Sequence, residues 1–358
     1  MLGLNIAKFI HGLSKPVKAP SRGSVHTLLG AMLIAIASQS AAPFSAHANE
    51  RLLGGRAFAP PDQTISMGED WETRAITYEA GLNADLAVSL DQQLYPALGP
   101  IIEDFAKARN VKIAVQNGTC GTSAGLLADK ATDMGGFCCA PGLTDRLPGL
   151  KYHTIGIGAL ALITHKDNPV NNVSITDARK LFGEDIRDWS ELPMSGMKIG
   201  EHEPVRAFAR LHCKLRPGHW RLILDTDKDF GWNLTEVSAI KDMLKQVSLN
   251  PGAIGYETLW HIRRLKQEDG SEVKLLSVNG AAPSDDAAVA RGAYPLYRVF
   301  NITTWGKGPA QNALGDELAD YLIAHAVDIA PDYAIVPSTQ LRQAGWAFQE
   351  NELIGEPK

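Results

Sequence analysis

Cysteine and histidine are the residue types in this sequence that are most informative about function, because they can bind metal ions or react. The residues concerned are Cys120, Cys138, Cys139, His212, Cys213 and His219. Thiolates and imidazoles bind Zn²⁺, Cu⁺ and other thiophilic species, usually in sets of three or four ligands. No two cysteines here are separated by two residues, so the spacing by itself does not indicate a metal site.

Disulfide bonds and redox chemistry are alternative uses of the same cysteines. Because Cys138 and Cys139 are adjacent, the geometry of a bond between them is strained, and two bridges would have to run from them to Cys120 and Cys213. A third alternative is that the cysteines are inert small residues beside an oxyanion site. A thiol nucleophile built from Cys213 and His212 is disfavoured because adjacent side chains seldom face each other, and a redox enzyme lacks the C-x-x-C spacing.

The N-terminal residues 1–48 have the pattern of a cleavable signal peptide. Cationic residues precede the apolar segment Leu28–Ala37, and Ala46–Ala48 forms an A-x-A cleavage site, which predicts cleavage before Asn49. No cysteine follows the apolar segment at a position that would support a lipid anchor. We therefore expect a soluble exported mature chain in a bacterial periplasm, where thiols can be oxidised.

Composition excludes several classes of function. The chain has 358 residues, 45% hydrophobic and 21% charged, with a formal net charge of −5, which is typical of a globular protein of about two packed units. No apolar run is long enough to span a membrane, so no membrane insertion of the mature chain is expected. No basic block follows the N-terminus, so nucleic acid is not an expected partner.

Strands and helices alternate along the mature chain, and this pattern predicts an α/β sheet. The predicted strands are Leu82–Leu90, Val111–Val115, Asp133–Phe137, Ile155–Thr164, Val205–Ala209, one entered from Pro251, and Val273–Val278. The predicted helices begin at Pro96, after Ser123, at Ile175 (N-cap Ser174 or Thr176), at Trp220 and at Leu314. The loop at residues 117–123 lies between a strand and a helix, an arrangement that points backbone N–H groups at a ligand.

Six stretches of the sequence, taken together and in their order along the chain, indicate a protein family. They are LYP at 94–96, NGTCGT at 117–122, ATDMG at 131–135, THKDNPVNNVSITDARKLFGEDIRDWSEL at 164–192, NPGAIGYETL at 250–259 and NGAAPSDDAAVARGAYPLYRVFNIT at 279–303. In combination they resemble the phosphate-type periplasmic solute-binding proteins of ABC transporters. The resemblance implies a two-lobed α/β fold of type II, in which each lobe is a mixed sheet flanked by helices and a hinge closes the cleft over a ligand.

The same resemblance implies boundaries for the domains. Residues 49–74 would be an extended lead-in, residues 75–162 and 297–345 lobe one, residues 163–296 lobe two, and residues 346–358 a C-terminal tail.

Loops at helix N-termini hold the ligand in proteins of this family. Carried over to this chain, they give as candidate ligand residues Gln92, Gln93, Thr119, Cys120, Gly121, Cys138, Cys139, Arg210, His212, Cys213 and His219. The chain departs from the family, which usually has small hydroxyl residues and a Gly-Ser-Gly type loop here. All four cysteines fall on these loops instead, so Cys120, Cys138, Cys139 and Cys213 are the candidate metal ligands, with Cys213 reaching across from lobe two.

We therefore expect a non-enzymatic periplasmic solute-binding protein that captures a thiophilic metal, metalloid or metal-containing ligand. An ABC permease or a sensor kinase would be its partner, and any transition metal or metalloid would be bound as the ligand. The alternative is a binder of phosphate or a related oxyanion, held by Arg210, Thr119 and backbone N–H groups, with the cysteines in disulfides. No G-x-S-x-G, P-loop, Rossmann or H-E-x-x-H motif supports an enzyme. Asp133 is expected to brace a ligand loop, and Trp232 to lie in the core.

Overall fold

The computed structural model describes residues 52–53, 56–193, 196–198, 201–212, 218–270, 272–306 and 308–357. The predicted signal peptide, its cleavage before Asn49 and the candidate ligand Cys213 lie outside the described residues.

Most of the predicted strands are present, with boundaries shifted by a few residues. In the described part of the chain the strands are β1 (Leu52–Leu53), β2 (Arg56–Ala57), β3 (Leu86–Asp91), β4 (Ile113–Gly118), β5 (Met134–Phe137), β6 (Leu150–His165), β7 (Asn172–Val173), β8 (Arg206–Ala209), β9 (Thr235–Glu236), β10 (Ala253–Thr258), β11 (Val273–Leu275), β12 (Ser277–Val278), β13 (Tyr297–Trp305), β14 (Ile335–Pro337), β15 (Ala347–Gln349) and β16 (Glu352–Gly355).

The helices alternate with these strands. Over the same residues they are α1 (Glu69–Glu72), α2 (Tyr95–Arg109), α3 (Cys120–Ala128), α4 (Ile175–Gly183), α5 (Ile240–Leu249), α6 (Leu259–Asp269), α7 (Asp286–Ala290), α8 (Ala313–Tyr333) and α9 (Ser338–Gln343). Ser174 is the N-cap of α4, because its Oγ accepts a hydrogen bond of 2.9 Å from the N–H of Asp177.

The central sheet is mixed, which confirms the predicted α/β class. Ten strands of the described chain belong to it, in the order β4-β3-β5-β13-β6-β10-β8-β9, with β11 and β14 also paired to β6. β3 is parallel to both β4 and β5, whereas β13 is antiparallel to β5 and β6. The parallel strands therefore end at one common edge, where the first three candidate ligand loops begin.

Strand β6 joins the two halves of the sheet. Its residues Leu150–Ala159 pair with β13, and its residues Leu160–Thr164 pair with β10. With 16 residues, β6 is long enough to contribute to both halves of the sheet. Its interior residues are mostly apolar and are buried, as is typical of a strand covered on both faces. The exact lobe boundaries remain a prediction.

Separate hydrophobic clusters support the two halves. One is formed by residues of β3, α2, β5, β13 and α8, including Phe105, Phe137 and Leu318. A second packs Phe182, Trp189 and Tyr256 together. Each buried side chain of this size contributes roughly 1.5–3 kcal/mol of stability, so each half has its own apolar support for the loops at its edge.

Three local predictions are wrong. The helix expected from Trp220 is a short 3₁₀ turn, His219–Leu222, and the strand expected over Val273–Val278 is divided into β11 and β12. Trp232 is fully exposed rather than buried, because it lies in a turn beyond the apolar cluster. Among the described residues, no helix is both long and apolar enough to cross a membrane.

Candidate functional site

The residues at the carboxyl edge of the sheet meet in one buried cluster. Asp91 is the last residue of β3, Cys120 is the first residue of α3, and Cys138 follows β5 directly. Thr119 fixes the start of α3, because its Oγ1 accepts a hydrogen bond of 3.1 Å from the N–H of Thr122. Parallel strands that end at the same edge thus bring three separated sequence positions together.

Two thiols and a carboxylate form the centre of this cluster. The Sγ atoms of Cys120 and Cys138 are 3.3 Å apart, and the thiol of Cys120 donates to Oδ2 of Asp91 over 3.4 Å. One ligand atom from each of the three residues lies within 4.8 Å of the others, and all three residues are buried. The structure places Cys138 and Cys139 as free thiols. This geometry can bind a single soft ion between sulfur and oxygen donors.

Arg298 holds the sulfur atoms from the opposite side. Its Nη2 donates to Sγ of Cys138 over 2.6 Å and lies 3.5 Å from Sγ of Cys139. Its Nε donates to the carbonyl oxygen of Cys138 over 3.0 Å, and its Nη1 donates to Oγ1 of Thr258 over 3.2 Å. A fully buried guanidinium therefore faces the thiols and favours their ionised form.

The acidic groups of the cluster differ in their pKa values. Burial, and then the nearby Cys120, raise the pKa of Asp91 to about 8. Burial also raises the pKa of Cys138 well above its ordinary value. The hydrogen bond from Cys138, followed by the charge of Arg298, lowers the pKa of Cys139 to about 7 although burial opposes it. Of these three groups, the thiol of Cys139 therefore has the lowest pKa.

Arg210 is already paired with a carboxylate. Its Nη1 donates to Oε2 of Glu257 over 2.6 Å, and both side chains are buried. Burial disfavours the charge on Glu257, but the charge of Arg210 and the hydrogen bond from His261 outweigh it and hold the pKa of Glu257 well below its usual range. Arg210 therefore enters the cleft as half of an ion pair rather than as a free cation.

The two histidines of the fourth loop differ in burial. His212 is exposed, and its Nε2 lies 3.2 Å from Nη2 of Arg210. His219 is fully buried, its ring centroid is 4.7 Å from that of His212, and its φ of 59° is left-handed. Gly218 packs on the thiol loop, since a Cβ at this position would lie 2.6 Å from Sγ of Cys139. Gly218, in the described part of the fourth loop, is therefore in close contact with Cys139.

The remaining candidate ligand residues from the sequence are not part of the thiol cluster itself. Gln93 is buried, and its Oε1 accepts from Oγ1 of Thr258 over 3.3 Å. Thr119 and Gly121 are exposed at the first turn of α3. Gln92 is exposed and, with Arg210 and His261, lines a groove of ≈ 420 Å³.

Two central residues, Glu257 and Arg298, were not identified as candidates from the sequence. Asp91 belongs to the first ligand loop implied by the resemblance, residues 91–93, but was not expected as a ligand itself. Glu257 lies in the stretch NPGAIGYETL, and Arg298 closes AYPLYR. A charged residue at the end of an apolar strand was the available signal, because such a residue is buried only when it is paired.

Asp133 braces the loop edge instead of facing the cleft. Its Oδ2 accepts from Tyr78 Oη over 2.5 Å and from the N–H of Ala87 over 2.7 Å, and its Oδ1 accepts from Asn312 Nδ2 over 3.1 Å. These bonds tie β3 to the start of α8, in agreement with the structural role expected for this carboxylate.

Comparison with known proteins gives a consistent result. The sequence model of the PBP superfamily domain matches residues 73–325. The phosphate-binding protein PstS of Bacillus subtilis (strain 168) is 23% identical over 270 residues, which are 74% of this chain and 84% of that protein. PstS of Pseudomonas aeruginosa (strain PAO1) is 25% identical over 158 residues, which are 41% of this chain, and the chain covers 47% of the length of that relative.

Solved structures are similar over most of the chain. A crystal structure of an ABC-type phosphate transport receptor from Vibrio cholerae has a TM-score of 0.58 at 18% identity, covering 70% of this chain and 99% of that one. A putative phosphate ABC transporter substrate-binding protein from Clostridium perfringens has a TM-score of 0.57 at 20% identity, with coverage of 70% and 98%. These likenesses concern the fold, and they confirm the resemblance drawn from the sequence stretches.

Proposed function

The chain belongs to the PBP superfamily, and from this premise we propose that it is a periplasmic solute-binding protein that delivers its ligand to an ABC permease. The proposal draws on the two-lobed α/β fold and on relatives named as phosphate-binding proteins and transport receptors. A membrane sensor kinase is an alternative recipient of the loaded protein. In either case the protein captures and releases a ligand without chemical turnover.

The ligand is a thiophilic metal, metalloid or metal-containing species. The observation that carries this proposal is the buried cluster of Asp91, Cys120 and Cys138, whose donor atoms lie within 4.8 Å of one another. Sulfur donors favour soft ions, and a buried site strengthens every electrostatic contact. The sulfur of Cys139 beside Arg298 offers a further donor.

Charge balance supports the same assignment. Thiols lose their protons when they bind a metal ion, so the sulfur ligands themselves become negatively charged on loading. Arg298 lies where this negative charge develops, 2.6 Å from Sγ of Cys138. A fixed guanidinium at this position lowers the cost of holding several thiolates in a buried site.

A second candidate is an oxyanion such as phosphate. It is favoured by the two buried guanidinium groups, Arg210 and Arg298, and by the names of the relatives. Two features weigh against it. Glu257 already compensates Arg210, and the nearest partner of Arg298 is the sulfur of Cys138. This alternative also placed the cysteines in disulfides, whereas Cys138 and Cys139 are free thiols.

The proposal is tested by measuring what the mature protein binds. The protein is isolated from its native periplasm without chelator or reductant, its bound elements are measured by mass spectrometry, and Zn²⁺, arsenite and phosphate affinities are then measured by calorimetry on the reduced protein. We expect about one equivalent of a thiophilic element. Cys120→Ser and Cys138→Ser should each weaken its binding by roughly 10–100-fold or more.

The matched control is Met134→Leu, a conservative change at another buried sulfur-bearing residue of the same strand region. It should bind like the wild-type protein. Phosphate binding that is equal in the wild-type and Cys120→Ser proteins, with no affinity for either soft ion, would overturn the proposal in favour of the oxyanion alternative.

A further inference from the structure

Two buried side chains next to the thiol cluster have polar atoms without partners. Among the described residues, Nε of Arg210 and both ring nitrogens of His219 lack a hydrogen bond. Arg210 is 2% exposed and His219 is fully buried. Buried polar atoms are nearly always hydrogen-bonded, so orphaned atoms at a binding cleft mark the position of a missing partner.

The unpaired Nε of Arg210 limits which kind of ligand atom can be its missing partner. Nη1 of Arg210 is occupied by Glu257, and Nη2 lies against His212. The remaining Nε–H is a donor and cannot accept. A bare metal cation has no acceptor atom to offer it, whereas an oxygen atom of a ligand does. The ligand therefore carries at least one oxygen.

The position of His219 leads to the same conclusion. Its neighbour Gly218 packs directly on Cys139, so the imidazole is held beside the thiol loop. Its left-handed φ of 59° is uncommon among non-glycine residues, although histidine adopts it more often than most. Strained backbone of this kind persists where surrounding structure enforces it and is concentrated at functional sites. The orphaned ring nitrogens can both donate to and accept from a hydroxyl group.

We propose, on the basis of the proposed function, that the ligand is a trivalent metalloid hydroxide or its oxyanion. Its central atom binds the sulfurs of Cys120 and Cys138, and its remaining oxygen binds Nε of Arg210 and the imidazole of His219. The site thus recognises two properties of one ligand, which are its affinity for sulfur and the presence of an oxygen atom. This distinguishes the ligand both from phosphate, which lacks the first property, and from a bare metal ion, which lacks the second.

The binding step requires no oxidant or reductant. Two bonds from the central atom to sulfur replace two bonds to hydroxyl oxygen. The two thiol protons leave with the displaced hydroxyl groups as two water molecules, and the oxidation state of the metalloid does not change. The charges also agree, because a neutral or anionic ligand enters a cleft that already contains Arg210 and Arg298.

The experiment uses arsenite as the probe on the reduced mature protein, with Zn²⁺ and inorganic phosphate for comparison. The test variant is His219→Asn, because asparagine tolerates a left-handed φ while its shorter side chain withdraws from the oxygen. The control is His202→Asn, at an exposed histidine in the same part of the chain. We expect arsenite to bind, and its affinity to fall about 10-fold in His219→Asn, as for the loss of one buried hydrogen bond. The Zn²⁺ affinity should not change, and His202→Asn should match the wild type.

X-ray absorption at the arsenic edge on the wild-type complex provides a result that does not depend on any variant. We expect two sulfur neighbours and one oxygen neighbour around arsenic. Three sulfurs without oxygen would overturn the inference, and so would an equal loss of Zn²⁺ and arsenite affinity in His219→Asn. Binding of Zn²⁺ through Cys120 and Cys138 without binding of arsenite would overturn the inference and leave the proposed function intact. Binding of phosphate alone would overturn both.

Discussion

The guanidinium of Arg298 donates a hydrogen bond of 2.6 Å from Nη2 to the sulfur of Cys138, and both side chains are almost completely buried. This hydrogen bond joins the end of β5 to β13 and couples the charge of the arginine to the ionisation of the thiols. The following predictions concern this cluster and the residues that support it.

Arg298→Gln should make the thiols harder to ionise. The pKa of Cys139, now about 7, depends first on the hydrogen bond from Cys138 and then on the charge of Arg298. Removing that charge should raise the midpoint of thiolate formation by about one unit or more. The measurement is a pH titration of the ultraviolet absorbance of the thiolate, with urea unfolding as a check that the variant is folded. An unchanged midpoint would show that Arg298 does not control this thiol.

Asp91→Asn should remove a pH dependence of stability. The pKa of Asp91 in the folded protein is about 8, against about 4 for a free carboxyl group, because burial and Cys120 disfavour its charge. A raised carboxyl pKa means that the folded state binds the proton more tightly, so stability is highest below about pH 4 and falls by about 1.4 kcal/mol per unit until about pH 8. The variant should lack this decline.

The measurement is urea unfolding of Asp91→Asn and of the wild-type protein at several pH values between about pH 4 and about pH 8. Asp104→Asn, on the exposed face of α2, is the control and should follow the wild-type profile. If the profiles of Asp91→Asn and the wild type remain parallel, the carboxyl group is not protonated in the folded protein at neutral pH.

Gly218→Ala should weaken ligand binding without removing any ligand atom. The new Cβ would lie 2.6 Å from Sγ and 2.9 Å from Cβ of Cys139, so the fourth loop must move away from the thiols. We expect the affinity for the soft ligand to fall about 10-fold, which corresponds to roughly 1.4 kcal/mol. Gly125→Ala in α3 is the control, because its Cβ would meet nothing within 4 Å. Calorimetry of both variants decides the point, and equal affinities would mean that the loop does not close on Cys139.

Glu257→Gln should destabilise the fold. Glu257 balances the buried charge of Arg210 through a contact of 2.6 Å. Neutralising it leaves that guanidinium buried without a counter-charge, which costs about 3–5 kcal/mol. Glu236→Gln, at an exposed position in β9, should change the free energy of unfolding by less than about 0.5 kcal/mol. A Glu257→Gln protein as stable as the control would show that the ion pair contributes little.

A part of this protein follows from local sequence alone. Apolar strands bounded by turns, the helix cap Ser174 and the α/β alternation are properties of neighbouring residues, so the class of fold was predictable. The places of the ligand loops were implied by the resemblance to phosphate-type solute-binding proteins. The order of the stretches from NGTCGT to AYPLYR then indicated the two-lobed architecture. The predictions failed where tertiary contacts decide the outcome, as at Trp232 and at the short turn His219–Leu222.

The composition of the site depended on the tertiary structure. The sequence placed Cys120, Cys138 and Cys139 on ligand loops because each follows a strand in the order of the chain. It could not show that Asp91 and Arg298, which are 207 positions apart, both contact these sulfurs. Pairing between distant strands brings them together, and no local pattern encodes that pairing. The set of side chains around the cysteines therefore depends on the packing of β3, β5 and β13, where burial fixes which charges must find partners.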